Sequence, residues 1–592
     1  MSSTMQILIA MVVYMTAVII IGIVCAKRAN QNSSEYFLGG RKLGPWVTAM
    51  SAEASDMSGW LLMGLPGVAY WCGVSDAAWT AIGLAVGTYI NWLIVSKRLR
   101  RYSEVAGEAV TLPEFFSNRF KEKNRVIMSI AAVFILIFFT VYASSCLVTC
   151  GKLFSTLFDM PYIPMMIIGA VFVLLYTILG GFLAESVSDF MQAIVMIVAL
   201  TVVVITATIH AGGLGAVIEN AKSIPGFFDF FGIATPTLDE AGRQAVSAEG
   251  LPLFGEKGSY GLLSIASCMA WGLGYFGMPQ VLLRFMAIRS EKELTRSRRI
   301  ATIWVVISLA VAVFIGIVGR ALFPTALGTA SEAESVFIVL SQSLLPALLA
   351  GFVMAGILAA TISSSDSYLL IASSALSKNL YQGIFRKKAT DKQVMTVSRL
   401  TLLVITAIAV LIALDENSVI FTIVSFAWAG FGAVFGPLML MSLFWKRVNR
   451  AGAIAGMLSG GIMVFVWKLL VRPLGGVWNI YELLPAFIVS TIVIFLVSII
   501  TPAPSKEIQE EFERVAKNLP AEAAAEEAAV EETVEAVAAE ETAEVTEEAA
   551  EVAEEATEVA EEAAEVTEEA AEVAEEAAAA AVAAAVEAED AE

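Results

Sequence analysis

Thirteen apolar runs, each long enough to cross a hydrocarbon core of about 30 Å, punctuate the first 500 residues of this chain. They lie near 5–26, 46–72, 76–96, 126–150, 162–184, 189–210, 259–283, 300–323, 344–377, 398–414, 418–445, 451–472 and 481–501. Polar segments separate them. The pattern predicts an all-α integral membrane protein of about 13 transmembrane helices, in which the first run is a retained span and not a cleaved leader.

Lys and Arg fall unevenly between the runs. Counted over alternating loops, 30 of the 37 basic residues lie on one side, including Arg41, Lys42, Lys97 to Arg101, Arg119 to Arg125 and Lys446 to Arg450. The positive-inside rule then predicts an outside N-terminus and a cytoplasmic C-terminus, in the cell's inner membrane.

Composition adds a second part. The formal charge is −20, but residues 521–592 carry 27 acidic side chains and no Lys or Arg, so the rest of the chain is basic, with 37 bases against 30 acids. The expected organisation is a membrane body over 1–503, a cytoplasmic linker over 504–520 and an acidic Ala/Glu tail over 521–592. The tail repeats Glu-Glu-Ala-Ala-Glu-Val-Ala/Thr, as in Glu547 to Ala553, with like charges at i,i+4. It reads as a solvated, fluctuating extension, with contact to a basic cytoplasmic partner as the other reading.

Several chemistries are excluded or weak. The one histidine, His210, rules out a multi-histidine metal site, and no phosphate-binding loop motif appears. The five cysteines, Cys25, Cys72, Cys146, Cys150 and Cys268, lie in or beside spans and read as packing residues. Nothing calls for an enzyme, an organic cofactor or a nucleic-acid partner.

Three spans break the rules of a lipid-facing helix. Span 2 reads Ser55-Asp56-Met57-Ser58-Gly59-Trp60 and continues to Pro66-Gly67, so carboxylates and helix breakers share one stretch. A backbone carbonyl freed at that depth must find protein, water or an ion. Span 7 reads Trp271-Gly272-Leu273-Gly274-Tyr275-Phe276-Gly277-Met278-Pro279, where three glycines and a proline make a regular helix costly. Two interrupted spans at corresponding positions point to a solute site between inverted repeats, spans 2–6 and 7–11. Span 9 adds Thr361, Ser363, Ser364, Ser365 and Ser367, hydroxyls that suit a hard monovalent cation.

These motifs, with Tyr176-Thr177-Ile178-Leu179-Gly180-Gly181-Phe182, Arg284-Phe285-Met286 and Trp428 to Pro437, resemble the sodium:solute symporters over residues 5 to about 503. The resemblance implies two inverted five-helix repeats, alternating access, and one Na+ carried per solute, with L-proline as the expected solute. It implies Na+ ligands at the carbonyls of Ala54, Met57 and Ala360 and the hydroxyls of Ser363 and Ser364, with Asp56 essential for cation binding. It places solute against Ser58, Gly59, Trp60, Tyr142, Trp271, Tyr275 and Pro279, and sets Arg41 and Asp189 near the inner and outer ends of the pathway. The chain departs from the family pattern at Glu53, Ser364 and Met278, and the last leaves the solute open to another amino acid, a monocarboxylate or a sugar. A transporter-like membrane sensor and a gated channel are the readings from other classes.

Overall fold

The computed structural model describes residues 2–29, 33–517, 557, 559–561 and 563–580. The chain divides into two compact units, Met1–Ala516 and Lys517–Glu592. In the second, residues 563–580 are helical and exposed, and most of the expected acidic tail, including Glu547 to Ala553, lies outside the described residues.

In chain order the first unit contains α1 (Ser3–Ala29), α2 (Ser33–Leu38), α3 (Pro45–Asp56), α4 (Leu65–Cys72), α5 (Val74–Ile90), α6 (Ser96–Val105), α7 (Leu112–Arg119), α8 (Val126–Phe158), α9 (Tyr162–His210), α10 (Leu214–Ser223), α11 (Leu262–Met269), α12 (Pro279–Ala287), α13 (Leu294–Leu322), α14 (Ala330–Ala333), α15 (Val336–Leu344), α16 (Ala347–Ser374), α17 (Asp391–Ile412), α18 (Ile420–Phe444), α19 (Arg450–Val466), α20 (Leu483–Ile500) and α21 (Lys506–Lys517). Among the described residues ten helices are long and apolar enough to cross a membrane. An eleventh candidate is the pair Leu262–Phe276 and Pro279–Ala287, bent by 40°, and two shorter apolar helices cover Trp60–Cys72 and Tyr162–Ile178.

Local sequence explains many ends. Pro45, Pro113 and Pro279 occupy first-turn positions, where a missing N–H costs nothing. Thr390 and Gln393 form a capping box on α17, and Asn449 caps α19 through the Gly452 N–H at 2.9 Å.

The structure adds detail to one expectation and corrects three. Spans 5 and 6 run through one helical stretch, α9, whose apolar pieces are Tyr162–Ile178 and Phe182–His210, so the division falls nearly two turns earlier than the sequence pattern suggests. The fold is not wholly helical, because Gly232–Ile233 pairs antiparallel with Gly258–Ser259 in the long segment before α11. The stretch expected as a linker is helical over Lys506–Lys517 and lies on the body. Finally, Asp189 is not at the end of the pathway opposite Arg41. Its helix passes Gly39 at Phe182 and Leu183, about two turns before Asp189, and Asp189 bonds Arg284, one turn before the Ala287 carbonyl that accepts the Leu43 N–H. Asp189 therefore belongs to the same, basic half as Arg41.

Burial separates the spans. In α16 and α18, 78% and 83% of the most apolar window is buried, against 17% in α1, so the hydroxyl-rich span is central and α1 faces lipid. Glycine sets the closest contacts. A Cβ on Gly87 of α5 would sit 2.3 Å from the Gly272 carbonyl oxygen, which brings α5 backbone to backbone with the span 7 break.

Candidate functional site

The site begins with one hydrogen bond that changes partner. In a continuous helix the Ser58 N–H would bond the Ala54 carbonyl; instead it donates to the Asp56 carbonyl at 3.0 Å. α3 ends there, and the chain resumes as a π-helical turn over Trp60–Gly64 before α4. The break thus lies at Met57 to Gly59, upstream of Pro66. The released Ala54 carbonyl accepts the hydroxyls of Ser363 at 2.9 Å and Ser364 at 3.3 Å, both from α16. Ser363 also reaches the Ala360 carbonyl at 3.2 Å. Two carbonyls and two hydroxyls from two helices therefore meet at the break, fully buried and without a charged side chain in the set. This donor set fits a hard monovalent cation. Of the expected ligands, Ala54, Ala360, Ser363 and Ser364 converge. The Met57 side chain lies against α13, where its sulfur accepts the Trp304 indole N–H at 3.1 Å and the Ser308 hydroxyl at 3.4 Å.

Asp56 looks elsewhere. Its Oδ2 accepts the Tyr275 hydroxyl at 2.6 Å, no hydrogen bond joins its carboxylate to the serines, and Oδ1 is buried without a partner. Its backbone carbonyl also accepts the Trp60 indole N–H at 3.1 Å and the Tyr142 hydroxyl at 3.5 Å.

Span 7 opens in the same manner. α11 passes into a tight 3-10 turn over Ala270–Phe276, and Pro279 starts α12. The carbonyls this turn leaves free are taken by other elements, Trp271 O by the Trp428 indole at 2.8 Å and Tyr275 O by Asn91 Nδ2 at 3.1 Å. Trp271 packs against Trp60 at 6.2 Å, Phe421 at 5.0 Å and Tyr481 at 5.1 Å, while Tyr275 meets Trp428 edge-on at 5.0 Å. Glycine admits these rings: a Cβ on Gly274 would lie 2.0 Å from Trp428 Nε1, and one on Gly59 would lie 2.4 Å from Thr149 Oγ1. The result is an aromatic box beside an acid and two helix ends, chemistry that suits an ammonium group and an apolar ring. Ser58, Gly59, Trp60, Tyr142, Trp271, Tyr275 and Pro279 are all buried around the two breaks. Ser58 Oγ has no hydrogen-bond partner.

Arg41 lies apart, bonding the Met286 carbonyl at 2.7 Å and Ala109 carbonyl at 2.8 Å. Asp189 joins a buried cluster in which Arg284 bonds Glu185, Asp189 at 3.1 Å, Ser51 at 3.0 Å and Ser367 at 2.9 Å. Sequence reasoning counted Arg284 as a loop charge and passed over Glu185 and Asp366. Two acids at i,i+4 in an apolar run, Glu185 and Asp189, were the available signal. Trp92 and Asn91 gave none, because their partners lie far away in the chain, and Trp428 stood out only as part of a family motif.

Comparison with known proteins gives a consistent result. The model of the sodium:solute symporter family matches residues 36–460. The sodium/proline symporter of Staphylococcus aureus strain USA300 / TCH1516 is 41% identical over 516 residues, covering 86% of this chain and 96% of that protein. The same protein from strain JH9 matches to the same extent. Among solved structures, a Na+-coupled sialic acid symporter in a substrate-bound outward-open state superposes with a TM-score of 0.68 at 16% identity, over 85% of this chain and 99% of the other. That likeness concerns the fold.

Proposed function

This chain belongs to the sodium:solute symporter family, and we propose that the solute it carries with Na+ is L-proline, taken up by alternating access. It is a multi-pass membrane transporter and not an enzyme. The observation that carries the ion half of the reading is the meeting of Ser363 and Ser364 with the Ala54 carbonyl at the break in span 2. Na+ sits there, on Ala54, Ala360, Ser363, Ser364 and the Met57 carbonyl. The solute lies between Ser58, Gly59, Trp60, Tyr142, Trp271, Tyr275 and Pro279, with Asp56 coupling the two through Tyr275. Support for proline comes from the relative that is 41% identical across nearly its whole length.

In this reading the chain crosses the membrane thirteen times, with spans 2–6 and 7–11 as inverted repeats around the two breaks. The N-terminus is outside, the basic loops and C-terminus are cytoplasmic, and the membrane is the cell's inner one. A membrane potential of about 100 mV adds about 2.3 kcal/mol per charge moved, and a tenfold Na+ gradient adds about 1.4 kcal/mol, enough to concentrate solute a few hundredfold.

The test is entry of radiolabelled proline into proteoliposomes under an imposed Na+ gradient. Uptake that persists unchanged without Na+ rejects the coupling. A second reading, Na+ symport of a different small solute, is favoured by Met278, a buried thioether at the head of α12. Competition by amino acids, monocarboxylates and sugars decides between them.

A further inference from the structure

A cavity of about 370 Å³ lies where α19 begins and α20 ends, away from both breaks and within the about 300–1,000 Å³ of small-molecule sites. Distant stretches build it: Phe120 just after α7, the first two turns of α19, and the connector from Thr501 to Pro504 with Ile508 of α21. Phe120, Pro504 and Ile508 are buried and form an apolar floor, while Arg450, Pro502 and Ala503 are exposed and form the mouth. The lining carries one Arg and no acidic residue.

The basic groups at this cavity have N–H donors to spare. Arg450 gives its Nε to Glu122 at 2.8 Å, and the other Glu122 oxygen is taken by the Ile127 N–H. Both Arg450 Nη atoms bond no protein atom among the described residues. Arg447 donates through Nη2 to the carbonyls of Ile499 at 3.2 Å and Thr501 at 2.8 Å, so it lies against the cavity wall with no carboxylate opposite. Its Nη1 is buried without a partner. Guanidiniums with idle donors match the oxygens of a phosphate group.

Position decides which phosphate. Trp445 stacks on Phe495 of α20 at 5.2 Å, with Phe444, Ile499 and Ile500 exposed nearby and Lys446 next in the chain. An indole between exposed apolar residues and a basic run marks the level of lipid headgroups. From the cavity, Ile454, Leu458 and Ile462 follow one another at i,i+4,i+8 along α19, and the last two are exposed. That stripe is an apolar track from the cavity toward the hydrocarbon. Free phosphate would leave both track and floor unused, whereas a phospholipid uses them together with the guanidiniums. An ammonium headgroup would find no acid in the lining, so the charge selects an anionic one.

We propose that this cavity binds one anionic phospholipid from the leaflet on the basic side. Its phosphate meets Arg450 in the field of Arg447, its glycerol carbons rest on Phe120, Pro504 and Ile508, and one acyl chain follows Ile454, Leu458 and Ile462. A single ligand then ties α19, the end of α20 and α21 together. The site does not depend on which solute the carrier moves.

The test is a titration of delipidated full-length carrier with dioctanoyl phosphatidylglycerol, with bound lipid counted by native mass spectrometry and melting followed alongside. The wild type is expected to hold one phosphatidylglycerol per chain at concentrations where dioctanoyl phosphatidylcholine and inorganic phosphate leave it empty, and to melt higher when filled. Arg450→Gln should weaken this binding by about tenfold or more, and Lys446→Gln, which removes the same charge outside the lining, by less than about threefold. Ala503→Trp fills the mouth without changing charge. It lies in the exposed connector, so it serves if Arg450→Gln does not fold, and a loss of about tenfold is expected there too. Equal binding of the two lipids, equal effects of Lys446→Gln and Arg450→Gln, or undiminished binding in Ala503→Trp overturns the proposal. Inorganic phosphate binding as tightly as the lipid also overturns it, because the ion alone would then be the ligand.

Discussion

Ser58 shows how far one residue reaches. By giving its N–H to Asp56 it frees the Ala54 carbonyl, and Ser363 and Ser364 take up what it released. A hydrogen bond to a buried polar group contributes about 1–3 kcal/mol when its loss leaves the partner bare. Ser363→Ala is accordingly expected to raise the Na+ concentration for half-maximal uptake by about tenfold or more. A Na+ titration of initial rates checks this, and an unchanged midpoint removes Ser363 from the ion site. Gly274→Ala tests the aromatic box, because its Cβ would meet Trp428 Nε1 at 2.0 Å. The expected cost is about 1–3 kcal/mol of stability with loss of uptake, read from thermal melting in detergent beside transport. At this scale the hydroxyl cluster and both breaks were legible in the sequence, since Gly, Pro and Ser advertise themselves by type. The acceptors were not legible. Which carbonyl is freed depends on a single N–H, and the Trp92–Glu53 bond joins residues 39 positions apart.

Among the elements, α21 was the least expected. Its apolar residues Ile508, Phe512 and Val515 follow a helical i,i+4,i+7 stripe, which the surrounding charge concealed. On the body, Phe512 lies between the Arg98 and Arg119 guanidiniums at 4.9 and 5.3 Å, and Lys121 reaches Glu507 at 2.9 Å and Glu511 at 2.8 Å. Phe512→Ala should destabilise the carrier by on the order of 3 kcal/mol. Glu507→Gln, at an exposed pair, should cost about 0.2–1 kcal/mol. Melting temperatures of the two variants check the order, and equal shifts would show that charge and not packing seats this helix.

The segment before α11 invites a pH measurement. Glu332 is partly buried, but its bonds with Arg243 and the Gly328 N–H outweigh burial and hold its carboxyl below the usual glutamate range. A lowered folded value means that the contribution is present above the ordinary value of about 4.3 and is lost as pH falls through the lowered one. Hydrogen exchange around Asp239 to Gln244 is therefore expected to stay slow down to that value and to quicken only below it. Quickening between pH 7 and 5 would contradict the assignment.

For the molecule as a whole, periodicity and charge made the membrane body readable because lipid imposes one demand on every span. The hydropathy pattern was less able to place the division within α9, where two apolar pieces meet with few polar residues between them. It also could not show that Arg284, counted among the loop charges, is buried with Glu185 and Asp189. The matched relatives align over 516 residues, which leaves most of the acidic tail outside the shared carrier. Truncation after Pro520 is expected to leave the initial rate per inserted carrier unchanged. A large drop, with insertion confirmed by surface labelling, would make the tail part of the transport machinery.

Trp60, Trp271 and Trp428 stand about the two breaks, with Trp271 at 6.2 and 6.0 Å from the others. Indoles this close exchange excitation, and their emission colour follows the polarity at their edges. The carrier thus has a built-in optical reporter at the place where ion and solute are expected to meet. Illuminated at the indole band, it should change intensity or colour as each is added, and the order of addition that produces the signal would reveal which of the two prepares the site for the other.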